Sequence, residues 1–297
     1  MQTSAAPRPG ARTHGRPAIP GDAWAKLRED ARTFSPEVIA AQRGMFGELL
    51  GPVTAPVVLR DVAYGPHERQ RLDLHSGEPL EPGAARPMVL FVHGGGFVAG
   101  ERRDPVHPFF DNVGAWAASH GWIGATMSYR RAPEHLWPAG AEDVGSAVRA
   151  LRVLAPRIGG DPDRVILIGH SAGAAHVGGY LAGHGGAVEP GLAGVVVQSG
   201  IYDPATAEAE IADIVALYYG GRDVSCAPAL AELPVPLWLG VGEHDPLVFH
   251  DQAARVGAPR IADGHSHFSA VYSLGLEADY SADVARFLTD ALAAAAS

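Results

Sequence analysis

Cysteine is almost absent: Cys226 is the only one in 297 residues. A lone cysteine forms no intrachain disulfide and offers no second thiolate to a structural zinc site, which excludes the disulfide-stapled secreted class and the zinc-ribbon class. Long apolar runs are lacking too. The longest, such as Pro87 to Val92 and Val165 to Ile168, fall far short of the roughly 20 residues a membrane-spanning helix needs. Between Met1 and Gly21 stand three arginines, Arg8, Arg12 and Arg16, with no adjacent pair and no apolar stretch of the kind a secretory leader carries. The expectation is a soluble protein of a reducing, cytoplasmic compartment. Basic charge is also in short supply. The 23 Lys and Arg against 33 Asp and Glu leave a net charge of -10, which repels phosphate backbones, so nucleic acid is not expected as a partner. The 14 histidines are not organised by an HExxH helix or by Cys/His spacing, so no metal and no cofactor are expected, and the histidines are assigned mostly to loops and surface.

What is present points to a folded enzyme-sized core. Hydrophobic residues make up 47% and charged residues 19%, near the globular average and far from disordered or fibrous compositions. Met1–Gly21 is rich in Pro, Gly, Arg and Thr without periodicity and reads as a mobile tail. From Asp22 to Leu50 apolar residues recur at helical spacing, with Ser35-Pro36-Glu37 as a helix start. Two helices are predicted there, over residues 22–55, as a cover for the core, a lid over an apolar pocket, or both. Residues 56–297 form the remaining domain. Val57–Tyr64 and Arg71–His75 read as an antiparallel hairpin. Short apolar runs at Met88–His93, Ile123–Tyr129, Val165–Gly169, Val195–Ser199 and Pro236–Val241 alternate with helical stretches such as Pro108–Ser119 and Ala139–Leu154. That alternation predicts an α/β fold with a mostly parallel sheet flanked by helices. Ala278–Ala295 reads as a C-terminal helix.

Chemistry concentrates at the ends of those strands. Gly169-His170-Ser171-Ala172-Gly173 follows an apolar strand and opens a small-residue helix, the setting of a nucleophile elbow in which Ser171 sits strained and exposed. His93-Gly94-Gly95-Gly96-Phe97 follows an earlier strand. Its backbone N–H groups at Gly94 and Gly95, with that of Ala172, can donate to an oxygen that becomes negative in a tetrahedral intermediate. Gly94, Gly96 and Ala99 mimic a dinucleotide fingerprint, but no acidic residue stands about 20 positions on. A serine needs a base, and the base needs an acid behind it. Asp245 follows the Pro236–Val241 strand and His267 follows about 20 residues later, in the chain order Ser, Asp, His. Glu243 and His265 remain the alternatives. Phe97, Val98, Phe110, Trp137, Tyr202, Tyr218 and Tyr219 are candidate pocket walls, each with a plain core role as the alternative.

Together the His93–Phe97 loop, Tyr129-Arg130-Arg131-Ala132-Pro133-Glu134-His135, the elbow and the Asp245 and His267 segments resemble the hormone-sensitive lipase family of esterases, from about Val57 to the C-terminus. The resemblance implies an eight-stranded, mostly parallel sheet with an N-terminal helical cap, and hydrolysis of small to medium acyl or aryl esters through an acyl-enzyme. Two residues depart from that pattern: His170 stands where the family has Asp, and Arg131 where it has Leu. The stretch Tyr64–Leu74 and the His267-Phe268 pair are similar to the kynurenine formamidase branch. An arylformamidase-like amide hydrolase and a non-catalytic binding protein are therefore the alternative readings. Arg130 and Glu134 are expected to hold a turn by pairing with each other or to touch substrate, and a homodimer is left open.

Overall fold

A computed structural model describes residues 17–208, 211–222 and 224–295. The predicted apolar runs become the centre of an eight-stranded sheet: β1 (Val57–Ala63), β2 (Arg71–Ser76), β3 (Arg86–Val92), β4 (Ile123–Met127), β5 (Gly160–His170), β6 (Leu192–Gln198), β7 (Leu237–Gly242) and β8 (Arg260–Ala262). Their order is β1-β2-β4-β3-β5-β6-β7-β8. β1 and β2 form the expected antiparallel hairpin at one edge, β2 meets β4 antiparallel, and all later pairs are parallel. β8 has three residues and no pattern of its own, so it was not foreseen.

Helices cover both faces: α1 (Gly21–Glu29), α2 (Pro36–Leu50), α3 (Asp111–Ser119), α4 (Ala139–Ile158), α5 (Ala172–Leu181), α6 (Ala212–Tyr219), α7 (Ala227–Ala231), α8 (Leu247–Val256), α9 (Ser269–Tyr272) and α10 (Asp279–Ala294). Coverage on two sides explains why the central strands are continuously apolar instead of alternating. In β3, Met88, Leu90 and Val92 enter the core shared with α4 and α5, while Val89 and Phe91 enter a second core with α3 and α10. Each such fully buried aliphatic side chain contributes roughly 1.5–3 kcal/mol relative to exposure. Phe110 lies in that second core, stacked near Phe91 and His93, and is a packing residue, not a pocket wall.

The first described residues are anchored. The expected tail lies outside the described residues as far as residue 16, but the Pro17 carbonyl accepts a hydrogen bond from the Glu277 N–H at 2.9 Å and Ile19 is buried. α2 begins as its sequence predicts: Ser35 caps it by accepting the Val38 N–H at 3.3 Å, with Pro36 in the first turn. Leu27 of α1 and Phe46 of α2 are fully buried in the second core. Among the described residues, no helix is long and apolar enough to cross a membrane.

β3 leads leftward to β4, whereas β5 leads rightward to β6, so the connections diverge between the adjacent strands β3 and β5. In open parallel sheets the crevice at such a point, beyond the carboxyl ends of the strands, is the ligand position. The His93–Phe97 loop and Ser171 leave the sheet there.

Candidate active site

Ser171 sits between the end of β5 and the first residue of α5 with φ 53° and ψ -122°. That conformation is strained for a residue with a side chain, and it is held because the surroundings leave no alternative. α5 must approach β3 very closely: a Cβ on Gly173 would lie 2.1 Å from the Val92 carbonyl oxygen and 2.6 Å from that of His93. Gly94 is equally confined, since a Cβ there would lie 3.0 Å from Ser171 Cβ and 3.1 Å from His170 Nδ1. The elbow and the glycine loop are therefore neighbours. Among the described residues the N–H groups of Gly94 and Gly95 enter no backbone hydrogen bond, and Ala172, at the first position of α5, carries one of the free donors of a helix start. These are the three donors singled out from the sequence.

The structure brings Asp245 and His267 together, with His267 Nδ1 2.7 Å from Asp245 Oδ1. A carboxylate can only accept, so Nδ1 carries the proton and Nε2 of the neutral ring is a bare acceptor. Nε2 is buried and has no hydrogen-bond partner among the described residues. The second oxygen of Asp245 accepts from Ser199 Oγ and from the Gly242 N–H, each at 2.6 Å. Burial pushes the Asp245 carboxyl up, but the adjacent His267 ring and these donors outweigh it and keep it below the usual carboxylate range.

Both alternatives have other occupations. Glu243 accepts the Gly264 N–H at 2.7 Å and so ties the acid loop to the histidine loop. His265 Nδ1 bonds Ser269 Oγ at 2.9 Å, its ring meets Trp24 edge-on, and burial pushes it down to about 4. His170 also has a job: its Nε2 donates to the His267 carbonyl at 2.7 Å, binding the elbow to the histidine loop. Burial, with His267 alongside, pushes His170 down to about 3. Most of the described histidines lie in loops, as expected, but the expectation of a surface position fails for six, His75, His93, His170, His176, His265 and His267, which are buried. Burial holds five of them, His75, His93, His170, His176 and His265, below the ordinary imidazole range and so favours their neutral rings.

The candidate walls separate into groups. Phe97 and Tyr219 lie in an apolar cluster with Ala172, Tyr218, Val248 and Phe249. Phe97 stacks on Tyr218 with centroids 4.4 Å apart. Val98 is exposed, and Trp137 is half-buried at the rim with the Arg222 guanidinium 5.8 Å over its ring. Tyr202 is corrected to a core residue: it is fully buried in the central core, and its hydroxyl accepts the Gly200 N–H at 3.2 Å. Sequence reasoning missed Phe34, which meets the His267 ring edge-on at 5.1 Å from the α1–α2 connection, and Phe249 of α8, 4.2 Å from the same ring. It also missed Ser199. The only signal was a pair of polar residues, Gln198 and Ser199, ending an apolar strand beside the elbow.

The Tyr129–His135 segment buttresses the glycine loop. Tyr129 hydroxyl donates to the His93 carbonyl at 2.9 Å, and Arg131 donates to the Gly100 carbonyl at 3.3 Å. Arg130 pairs with Asp143 at 2.8 Å and Glu142 at 2.9 Å, both on α4. The expected pairing of Arg130 with Glu134 is therefore corrected. A cavity of about 630 Å³ lined by Arg32, Pro246, Leu247, Val248 and Arg255, among others, opens beside the acid loop, but neither Ser171 nor His267 lines it.

With the geometry in view, comparison with known proteins places the chain. The model of the α/β hydrolase fold matches residues 89–259, more than half of the sequence, and the chain belongs to that family. Esterase LipQ of Mycobacterium tuberculosis is 32% identical over 158 residues, covering 50% of this chain and 36% of that protein. Carboxylesterase NlhH of the same organism is 32% identical over 191 residues, covering 54% and 57%. The chain thus spans well under two thirds of the length of these relatives. Among solved structures, esterase B from Lactobacillus rhamnosis, inhibited by a tributyrin phosphonate, superposes with a TM-score of 0.67 at 19% identity, covering 94% of this chain and 96% of that one. An esterase of the bacterial hormone-sensitive lipase family gives 0.63 at 22% identity, covering 92% and 96%.

Proposed function

We propose that the protein is a serine carboxylesterase of the hormone-sensitive lipase type, acting on small to medium acyl or aryl esters. The observation that carries this reading is the buried Asp245–His267 pair with a bare Nε2, whose loop is bonded through His170 to the elbow of a strained Ser171 that faces a glycine loop. The esterase names of the relatives support it. In this mechanism the ester carbonyl rests against the N–H groups of Gly94, Gly95 and Ala172. His267 takes the Ser171 proton as Oγ attacks, and Asp245 stabilises the imidazolium. The same imidazolium then protonates the departing alcohol, leaving an acyl-enzyme. Water, deprotonated by His267, attacks the acyl carbon and releases the acid. Phe97, Val98, Trp137 and Tyr219 border the acyl or aryl group, with Phe34 and Phe249 closing the side next to His267. The reading includes a reducing, cytoplasmic setting, supported by a single thiol, Cys226, that burial pushes up to about 12.

The test is hydrolysis of p-nitrophenyl acetate, butyrate and octanoate by the purified protein and by Ser171→Ala. The variant is expected to lose about 10⁴-fold or more in kcat, and the chain-length trend measures the acyl site. No ester turnover together with hydrolysis of an N-formyl arylamine would transfer the same machinery to amides. No turnover of either would leave a binding protein.

A further inference from the structure

Behind the acid of the candidate site runs a line of buried polar groups that the reaction itself does not use. Tyr280 on α10 donates its hydroxyl to Gln198 Oε1 at 3.3 Å. Gln198 Nε2 donates to Ser199 Oγ at 3.2 Å, and Ser199 Oγ donates to Asp245 Oδ2 at 2.6 Å. Gln198 and Ser199 are buried at 0% and 1% exposure and Asp245 at 0%, so these bonds are not exchanged with water. All donors in the line point the same way, toward the carboxylate. Each bond polarises the next group into a better donor.

The packing is shaped around this line. A Cβ on Gly240 of β7 would lie 2.0 Å from Gln198 Oε1, so only glycine leaves room for that oxygen. Ser199 has φ 54°, a strained value for a residue with a side chain, and its N–H is held by the Gly240 carbonyl at 2.9 Å. Because the Ser199 oxygen already accepts from Gln198, its own proton is free to point only at Asp245. With the Gly242 N–H on the same oxygen, Asp245 is fixed by two donors on one side, leaving its other oxygen directed at His267.

We infer that Ser199, Gln198 and Tyr280 are positioning residues, a donor relay from the C-terminal helix that orients Asp245 and thereby holds His267 as the Nδ1–H tautomer. The inference rests on the hydrolase reading for its effect on rate, but not for its effect on the histidine.

Ser199→Ala, Tyr280→Phe and the double variant test it by steady-state hydrolysis of p-nitrophenyl butyrate and by ¹⁵N NMR of histidine-labelled protein. Ser199→Ala is expected to lower kcat about tenfold with KM unchanged, from loss of a hydrogen bond to a charged group. Tyr280→Phe, which removes one oxygen from a side chain that otherwise keeps its packing, is expected to lower kcat about twofold by weakening the relay at its far end. Since Tyr280 acts through Ser199, the double variant should match Ser199→Ala alone. The ¹⁵N spectrum of Ser199→Ala should show His267 as a tautomer mixture where the parent protein has the Nδ1–H form. Losses that multiply in the double variant, or an unchanged tautomer in Ser199→Ala, would overturn the relay. If the parent protein hydrolyses no ester, the esterase reading fails while the tautomer still decides the relay. Should Ser199→Ala not fold, the tautomer in Tyr280→Phe decides it: a shift toward the mixture supports the relay and no shift overturns it.

Discussion

Gly94 is the residue at which space and chemistry are hardest to separate. Its missing side chain lets the loop after β3 touch the elbow, and its N–H is one of the three donors proposed for the developing oxyanion. In Gly94→Ala the new methyl would meet Ser171 Cβ at 3.0 Å, His170 Nδ1 at 3.1 Å and the His170 carbonyl at 3.3 Å. None of these partners is the free end of a flexible chain, so the loop itself must retreat by a few tenths of an ångström. A donor moved off a transition-state oxygen costs more than one moved off a ground-state carbonyl. Gly94→Ala is therefore expected to lower kcat about 10²-fold while KM changes several-fold at most. Steady-state kinetics on p-nitrophenyl butyrate checks it, and near-parental kcat would remove Gly94 from the oxyanion assignment. The choice between His265 and His267 belongs to the same scale. The two rings stand two residues apart, and their directions depend on the turn at Asp263-Gly264, which Glu243 fixes by accepting the Gly264 N–H. That bond comes from a side chain 21 residues upstream, so no local pattern shows which ring turns toward Asp245.

At the scale of elements, the strands that face two apolar cores were legible because burial on both sides leaves continuous apolar runs, and α2 was legible because Ser35-Pro36-Glu37 is a capping signal. What the N-terminal helices do was not legible, because their contacts are made far along the chain. Ser266 Oγ donates to Gln42 Oε1 at 2.6 Å across 224 positions. Phe34, in the connection between α1 and α2, stacks on Phe268 at 5.6 Å as well as meeting His267 and Phe249. The segment thus covers the core and also walls the site, and Phe34 is the side chain that joins the two roles. Phe34→Ala removes three aromatic contacts, each worth about 0.5–1.5 kcal/mol, while Leu27, Phe46 and the Gln42–Ser266 bond keep the helices in place. The expected result is a loss of about tenfold in kcat/KM on p-nitrophenyl butyrate, with a folded protein by circular dichroism. Parental kinetics would show that the segment only covers the core.

For the molecule as a whole, the buried histidines set its response to acid. Burial pushes His75, His93 and His265 down to about 4 and His170 and His176 down to about 3, against about 6.5 in an unfolded chain. Below about pH 7.5 the unfolded state increasingly binds protons that the folded state refuses, so stability is complete above that pH and falls as pH drops toward 4. At pH 5.5 each such ring costs on the order of 1 kcal/mol, and five together several kcal/mol. That sum rivals the roughly 5–15 kcal/mol by which folded proteins exceed their unfolded state. The carboxylates work in the same direction only at lower pH, since Asp73, which burial pushes up but the Asp61 N–H, Arg103 and Arg102 more than pull back, lies at about 2. Acid unfolding should therefore set in near pH 5 to 6, in the histidine range instead of the carboxylate range. Urea denaturation at pH 7.5, 6.5, 6.0 and 5.5 measures it, as a midpoint that falls modestly between the first two and more steeply with each step below. A midpoint unchanged down to pH 5.5 would mean that these rings accept protons in place, and that the elbow, tied to the His267 loop through His170, is looser than its hydrogen bonds imply.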